Sequence, residues 1–203
     1  MEFKQKEALR YLRAKTGDKA AEILVDTVYL KLRNEVQARY VLQKHAITAD
    51  EAGVTLDCGV RFHSRALARH LKGCDTVLLM GATLGSRVDA AIRRLALISV
   101  AEGAAAQACD EVQAQAETGG LLQRPRFSPG YGDWPLEEQC QLFAVLNCAK
   151  RIGLTLTDGL MMAPSKSVTA IIGLSEDAAC VQNKCMTCSN INCPYRDTDI
   201  KKV

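Results

Sequence analysis

The sequence predicts an α+β fold, in which a twisted, mostly antiparallel sheet is flanked by helices and followed by a cysteine-rich C-terminal tail. Long stretches repeat apolar residues three and four positions apart, as helices do, whereas shorter ones are continuously apolar or alternating, as strands are. The two kinds do not follow the regular alternation that produces a parallel sheet. We therefore expect one α+β domain over residues 1–176 and a tail over 177–203 in this 203-residue chain.

Helices are expected where apolar residues recur at the helical spacing and residues typical of helix ends flank the segment. A first helix stops at Gly17, and Asp18 can cap the free N–H groups of a second. Ser64 can cap a short third helix in the same way. A long alanine-rich helix begins at Ser86, and Pro135 marks the start of another. The expected helices are 3–15, 18–36, 65–72, 86–117 and 135–152.

Strands are expected in five segments. Residues 75–80 give the clearest pattern, because they are continuously apolar and too few for a helix. The following Gly81-x-x-x-Gly85 is expected to turn this strand into the long helix, and it lacks the glycine spacing of a dinucleotide loop. The expected strands are 40–47, 54–62, 75–80, 154–157 and 167–174.

Composition excludes several classes of function. The chain has 26 basic and 23 acidic residues, interspersed to a net charge of +3, unlike a dedicated nucleic-acid binder. Its longest apolar run is far shorter than the roughly 20 residues that span a bilayer. Residues 1–6 are not followed by the apolar segment of a signal peptide. We expect a cytoplasmic protein that binds neither nucleic acid nor membrane.

The most informative segment is residues 124–135, here called the 124–135 loop. It contains two arginines, three prolines, two glycines and three aromatic residues. Arg124 and Arg126 offer guanidinium groups that fit a carboxylate or phosphate. The glycines allow a ligand to approach the main chain, and Tyr131 and Trp134 offer flat faces. This composition predicts a preformed small-molecule site, the alternative being a rigid surface loop that ties two helices together.

Other candidate polar residues are fewer. Glu102 is the one acid in a small, apolar stretch of the long helix, and it must face solvent or meet a polar partner because an unpaired buried carboxylate is costly. His70 is expected on the surface. No serine, histidine and acid form a credible catalytic triad.

Four cysteines of the tail are spaced as metal ligands. Thiols within so short a segment can surround one tetrahedral ion, and both zinc and iron–sulfur clusters accept such sites. A reduced or redox-active tail is the alternative. The other five cysteines are expected to be small buried hydrophobic residues. The candidate ligands are Cys180, Cys185, Cys188 and Cys193, and the others are Cys58, Cys74, Cys109, Cys140 and Cys148.

Four segments together resemble the activation domain of cobalamin-dependent methionine synthase. Arg126-x-x-x-Gly130-Tyr131 matches the Arg-x-x-x-Gly-Tyr motif of that family. The helix that carries Glu102, residues 153–157 and residues 162–170 follow in the family's order. Residues 73–176 form the part of clearest resemblance, after an N-terminal helical and strand part over 1–72. The 124–135 loop and the cysteine cluster are similar to those of stand-alone members.

The resemblance implies a specific ligand and set of contacts. The family's activation domain binds S-adenosylmethionine along a sheet edge and supports reductive methylation of cob(II)alamin. Carried onto this sequence, Arg126 would pair with the ligand's carboxylate and Glu102 would supply a polar contact. Ser128, Pro129 and Gly130 would contact the ligand through the main chain, and Tyr131 would line the site.

The resemblance also implies partners. Because the sequence contains no corrinoid, homocysteine or folate module, we expect it to act in trans on a corrinoid-binding methionine synthase that lacks its own activation domain. A flavodoxin- or ferredoxin-type donor would supply the electron. Two alternatives are a metal–thiolate redox protein and an adaptor of a corrinoid methyltransferase that does not bind S-adenosylmethionine.

Overall fold

The computed structural model describes residues 5–14, 17–95 and 98–177. The four candidate metal ligands of the tail lie outside these residues.

The predicted α+β fold is confirmed: a six-stranded sheet has the order β3-β2-β1-β4-β8-β5, and all its pairs are antiparallel. A separate pair joins β6 to β7. The strands are β1 (Arg39–Asp50), β2 (Gly53–Leu56), β3 (Arg61–Phe62), β4 (Thr76–Thr83), β5 (Leu122–Gln123), β6 (Thr155–Leu156), β7 (Met162–Ala163) and β8 (Ser167–Ser175).

Helices cover both faces of the sheet. The two N-caps expected from the sequence are present, since the Asp18 carboxylate accepts from the N–H of Ala21 and the Ser64 hydroxyl accepts from the N–H of Leu67. The helices are α1 (Gln5–Leu12), α2 (Lys19–Leu32), α3 (Arg65–His70), α4 (Ser86–Leu95), α5 (Ile98–Ala114), α6 (Gln139–Leu146) and α7 (Cys148–Ile152), with a 3-10 turn over Leu136–Glu138.

Four predicted elements differ from the structure. The expected strand over 54–62 is a hairpin of β2 and β3, because Gly59 adopts φ +85° and closes a tight turn. The turn expected at 81–85 is shorter, since β4 continues to Thr83 along its partner β8. The helix expected over 135–152 is divided at Asn147, whose φ of 50° ends α6. The long helix expected over 86–117 is described as α4 and α5, ending at Ala114.

The central strands separate two apolar layers. Alternate residues of β4 point to opposite sides: Val77 and Leu79 pack with α3, α6 and α7, whereas Leu78 and Met80 pack with α5. Helices α1, α2, α4 and α5 form a further cluster, in which Gly103 brings α5 close to α1: an added Cβ would lie 2.8 Å from the Ala8 nitrogen. We call the first side of the sheet the α3 face and the second the α5 face.

Candidate functional site

The 124–135 loop begins with a β-bulge against β8. Gln123 pairs with Leu174, but the next regular pair joins Phe127 to Ile171, so the loop holds one residue more than β8 between the two pairs. Such a bulge changes which face the following side chains point to. It explains why Arg124 and Arg126, two positions apart, point to opposite faces of the sheet instead of the same one.

Arg126 lies on the α5 face. Its guanidinium donates to Asp110 at 2.7 Å and to the Gln113 side chain at 3.0 Å, both through the same nitrogen. Among the described residues, no acceptor pairs with its other two nitrogens. The side chain is 23% exposed, so Arg126 holds an oriented cation with remaining donors at the edge of the sheet.

Arg124 lies on the α3 face and has a structural role. Its two terminal nitrogens donate to the main-chain oxygens of His70 and Lys72, at 2.6 and 2.5 Å. These carbonyls lie at the end of α3, where cations bind favourably. The prediction that Arg124 is available to a ligand is therefore wrong, because its guanidinium already donates to two carbonyls at the end of α3. His70 is half-buried, not a surface residue, and its ring contacts the Pro125 oxygen at 2.8 Å.

The motif glycine sits in a tight turn. Tyr131 donates its N–H to the oxygen of Ser128 at 3.0 Å, and Gly130 has a φ of +87°. Proline followed by a left-handed glycine is the signature of a type II turn. The turn exposes Tyr131, whose ring meets Phe127 edge to face at 5.8 Å, while Pro129 is buried. The local sequence thus sets the shape of the motif.

Two side chains anchor the end of the loop to the α3 face. The Asp133 carboxylate accepts from the Ser64 hydroxyl and from the N–H groups of Arg65 and Ala66. These hydrogen bonds, the one from Ser64 foremost, hold the pKa of Asp133 below its usual value. Trp134 is 1% exposed and donates to the buried Glu138 at 2.9 Å. The prediction that Trp134 offers a face to a ligand is wrong, because its ring fills the core.

Glu102 is placed further along the α5 face. Its carboxylate forms an ion pair with Lys166, which precedes β8 and is 12% exposed. Eight residues separate Glu102 from Asp110, about 12 Å along an α-helix. The charged groups therefore border a segment of the β8 edge, with Arg126 at one end and Lys166 at the other. Glu102 meets a polar partner, one of the two outcomes that its sequence context allowed.

Within the described residues, no strand pairs with the β8 edge between these charges, although Thr169 at its centre is only 2% exposed. Ile171 pairs with Phe127, and in an antiparallel strand Thr169 and Ser167 direct their main-chain groups to the same side. Within the described ranges, nothing pairs with the main chain of Thr169 on that side. The Thr169 hydroxyl is also buried without a partner there. An unpaired edge offers main-chain donors and acceptors, but a ligand reaches them only if the residues that bury Thr169 move aside.

Neighbouring thiols do not contribute chemistry to this site. Burial raises the pKa of the Cys109 thiol to about 11, although the charge of Arg126 opposes the rise. Cys109 therefore stays protonated at neutral pH. Cys74, Cys109 and Cys148 are buried as expected, but Cys58 and Cys140 are exposed, which corrects their prediction as core residues.

Sequence reasoning missed Asp110, Gln113 and Lys166. Helical spacing could have found the first two, since positions 102, 110 and 113 fall within about 80° of one another around α5 at 100° per residue. The Glu102–Lys166 contact has no such local signal, because it joins a helix to a distant loop.

The fold and the candidate site define a class: an α+β domain with charged side chains beside an unpaired sheet edge. The family described as "Vitamin B12 dependent methionine synthase, activation domain" matches residues 31–187. This match covers more than half of the chain, and the chain therefore belongs to the activation-domain family of vitamin B12-dependent methionine synthase. The resemblance inferred from the sequence is confirmed.

A solved structure gives a second, independent comparison. The structure described as the MetH reactivation domain bound to AdoHcy matches with a TM-score of 0.62, at 15% sequence identity. The alignment covers 83% of this chain and 70% of the other. At this identity the match shows the shared fold. No curated protein matches the chain in sequence. None of the described helices has the length and apolar character required to cross a membrane.

Proposed function

We propose that this chain binds S-adenosylmethionine at the unpaired edge of β8 and supports reductive methylation of cob(II)alamin. The observation that carries the proposal is Arg126, which presents remaining guanidinium donors at this edge within the family's Arg-x-x-x-Gly-Tyr motif. The cobalamin is held by a separate corrinoid-binding methionine synthase without its own activation domain. A flavodoxin- or ferredoxin-type donor supplies the electron.

The amino-acid end of the ligand binds beside α5. Its carboxylate pairs with the remaining donors of Arg126, a charged interaction that contributes about 1.5–3 kcal/mol. Asp110, 2.7 Å from Arg126, accepts from the ligand's α-ammonium. A paired arginine and aspartate thus recognise both charges of the zwitterion, and the ligand shares Arg126 with Asp110 without displacing it.

The rest of the ligand follows the edge of the sheet. The main chain of Ser128, Pro129 and Gly130 contacts it from the turn, and Tyr131 supplies an exposed ring. An aromatic face attracts a sulfonium by about 0.5–2 kcal/mol. Glu102 provides the polar contact at the far end, where Lys166 holds its carboxylate in position.

The role of these residues in the reaction is positional. S-adenosylmethionine and the partner's cobalamin supply the methyl group and the metal chemistry. The protein orients the sulfonium methyl group towards the corrinoid, and a held geometry of this kind accounts for much of the acceleration in group-transfer reactions. No side chain is required to act as a general base.

Calorimetric titration of S-adenosylmethionine tests the ligand site. We expect saturable binding that Arg126→Ala weakens about 10- to 150-fold, the equivalent of one charged hydrogen bond. Arg87→Ala is the matched control, because it removes an arginine that pairs with Glu35 away from the edge. Equal affinity in all three proteins would exclude Arg126 from the site.

A reactivation assay tests the role in trans. A methionine synthase truncated before its activation domain, with an electron donor and S-adenosylmethionine, should regain turnover when this protein is added. An adaptor would bind the synthase equally well with and without S-adenosylmethionine. Absence of rescue, with ligand binding intact, would leave the binding site standing and refute the in-trans role.

The cysteine tail supports one additional function. The spacing of Cys180, Cys185, Cys188 and Cys193 favours a bound zinc ion or iron–sulfur cluster, which would order a polar segment with little apolar surface. Metal analysis of anaerobically purified protein tests it. A brown, iron-containing sample would favour an electron-carrying tail, and a metal-free sample would refute metal binding.

A further inference from the structure

A second group of chemically reactive side chains lies far from the β8 edge. His45 projects from β1, and Asp57 and Cys58 lie in the turn that joins β2 to β3, at the other end of the strand order. One ligand atom from each of the three lies within 4.8 Å of the other two. The function proposed above uses none of these residues.

Hydrogen bonds fix two of the three side chains in place. The Asp57 carboxylate lies 2.6 Å from Nδ1 of His45 and accepts from the N–H of Ala46 at 3.1 Å. Asp57 also donates its own N–H to the Ala46 oxygen. The His45 side chain is only 13% exposed. The imidazole and the carboxylate are therefore oriented in advance, which lowers the cost of binding a third group between them.

The turn places Cys58 beside His45 and Asp57. Gly59 donates its N–H to the oxygen of Leu56 at 2.9 Å and takes a φ of +85°. This is the shape of a tight turn followed by a left-handed glycine, common in short hairpins. Cys58 is exposed, where a thiol of purely structural value would be buried.

We propose that His45, Asp57 and Cys58 bind one divalent transition-metal ion of the zinc type. Imidazole nitrogen, thiolate sulfur and carboxylate oxygen are the ligands that Zn²⁺ takes in proteins. The carboxylate and the thiolate together balance the charge of the ion. Three protein ligands leave a fourth position for water, the arrangement of open zinc sites.

Side-chain rotation suffices to close the site. Bond lengths of about 2.0–2.3 Å in a tetrahedral site separate neighbouring ligand atoms by roughly 3.3–3.6 Å. The His45–Asp57 pair, now 2.6 Å apart, must open by about 0.7 Å by this measure. The thiol lies within 4.8 Å of both other ligand atoms, so it must approach by at most about 1.5 Å. The exposed Cys58 side chain can rotate within the hairpin to do so.

Cobalt titration of the full-length chain tests this site independently of the tail. Cys180, Cys185, Cys188 and Cys193 are first replaced by serine, so that the tail cannot supply thiolates. We expect one Co²⁺ per chain, with a thiolate-to-cobalt charge-transfer band. Cys58→Ser should abolish the band, and His45→Ala should weaken binding at least tenfold. Cys140→Ser removes an exposed thiol on α6 and should leave the band unchanged.

Two results would overturn the proposal. The first is absence of the charge-transfer band in the tail-substituted protein. The second is a band that persists in Cys58→Ser. Because His45 is mostly buried, Asp57→Asn serves as a second variant: it keeps the side chain's shape and should also weaken cobalt binding. Circular dichroism of each variant verifies the fold, and binding of S-adenosylmethionine should be unchanged in all of them.

Discussion

The two faces of the sheet at the 124–135 loop use similar residues for opposite purposes. On the α3 face, Arg124, Asp133 and Trp134 direct their polar groups to partners within the fold: helix-end atoms, the Ser64 hydroxyl and Glu138. On the α5 face, Arg126 keeps remaining donors beside an unpaired strand edge. The first face holds the loop in place, and the second is left with hydrogen-bond donors that no described residue uses.

The difference separates the residues that support the loop from those that the loop presents. Polar groups on the α3 face satisfy one another, so that the main chain of the loop has one conformation. This rigid support holds the partly buried Arg126 at a defined place. Variants of the α3 face should therefore lower mainly the stability, and variants of the α5 face should lower mainly the affinity for the proposed ligand.

The largest expected effect comes from Trp134→Ala. The ring is 1% exposed, and its loss removes a core side chain and one donor to the buried Glu138, which keeps the main-chain N–H of His63 as a donor. Such truncations cost about 3–5 kcal/mol. Urea unfolding should show this loss, whereas Tyr131→Ala, which removes an exposed ring from the same loop, should cost much less. Similar losses in both variants would contradict the division between the faces.

The two arginines provide the sharpest comparison. Arg124→Ala should destabilise the protein by about 2–3 kcal/mol, because two helix-end carbonyls lose charged donors. Arg126→Ala should cost about 1 kcal/mol or less, as partly exposed ion pairs do, while it lowers affinity for S-adenosylmethionine. Chemical unfolding and calorimetry on both variants measure the two effects. An Arg126 variant as unstable as the Arg124 variant would show that both arginines are structural.

Asp110→Asn probes the α5 face alone. The amide can still accept a hydrogen bond from Arg126 but no longer neutralises the ligand's ammonium, so affinity for S-adenosylmethionine should fall about 3- to 10-fold, or roughly 0.7–1.4 kcal/mol. Calorimetry measures the change. Tighter binding would instead show that Asp110 competes with the ligand's carboxylate for Arg126.

The smallest expected effect is the acid response of Asp133. Its pKa is lowered in the folded protein, so its contribution to stability is complete above the unfolded value of about 4 and is lost as the pH falls through the folded pKa. Asp133→Asn should therefore flatten the decline of unfolding free energy below about pH 4. Asp158→Asn is the control, since Asp158 is also exposed. An unchanged acid response in Asp133→Asn would remove this carboxylate from the anchor.

Local sequence is sufficient for the features that depend on neighbouring residues. The caps at Asp18 and Ser64, the buried strand β4 and the shape of the Arg126-x-x-x-Gly130-Tyr131 turn all follow from short-range sterics and hydrogen bonding. Four segments in a fixed order were also enough to indicate the family.

Tertiary structure decided which of those residues are available. One extra residue against β8 sends Arg124 to the α3 face and Arg126 to the α5 face, and a single sequence does not reveal this register. The burial of Trp134, the partner of Glu102 and the meeting of His45 with Cys58 depend in the same way on distant strands and helices. Long-range pairing sets these contacts, whereas local propensity sets the elements that make them.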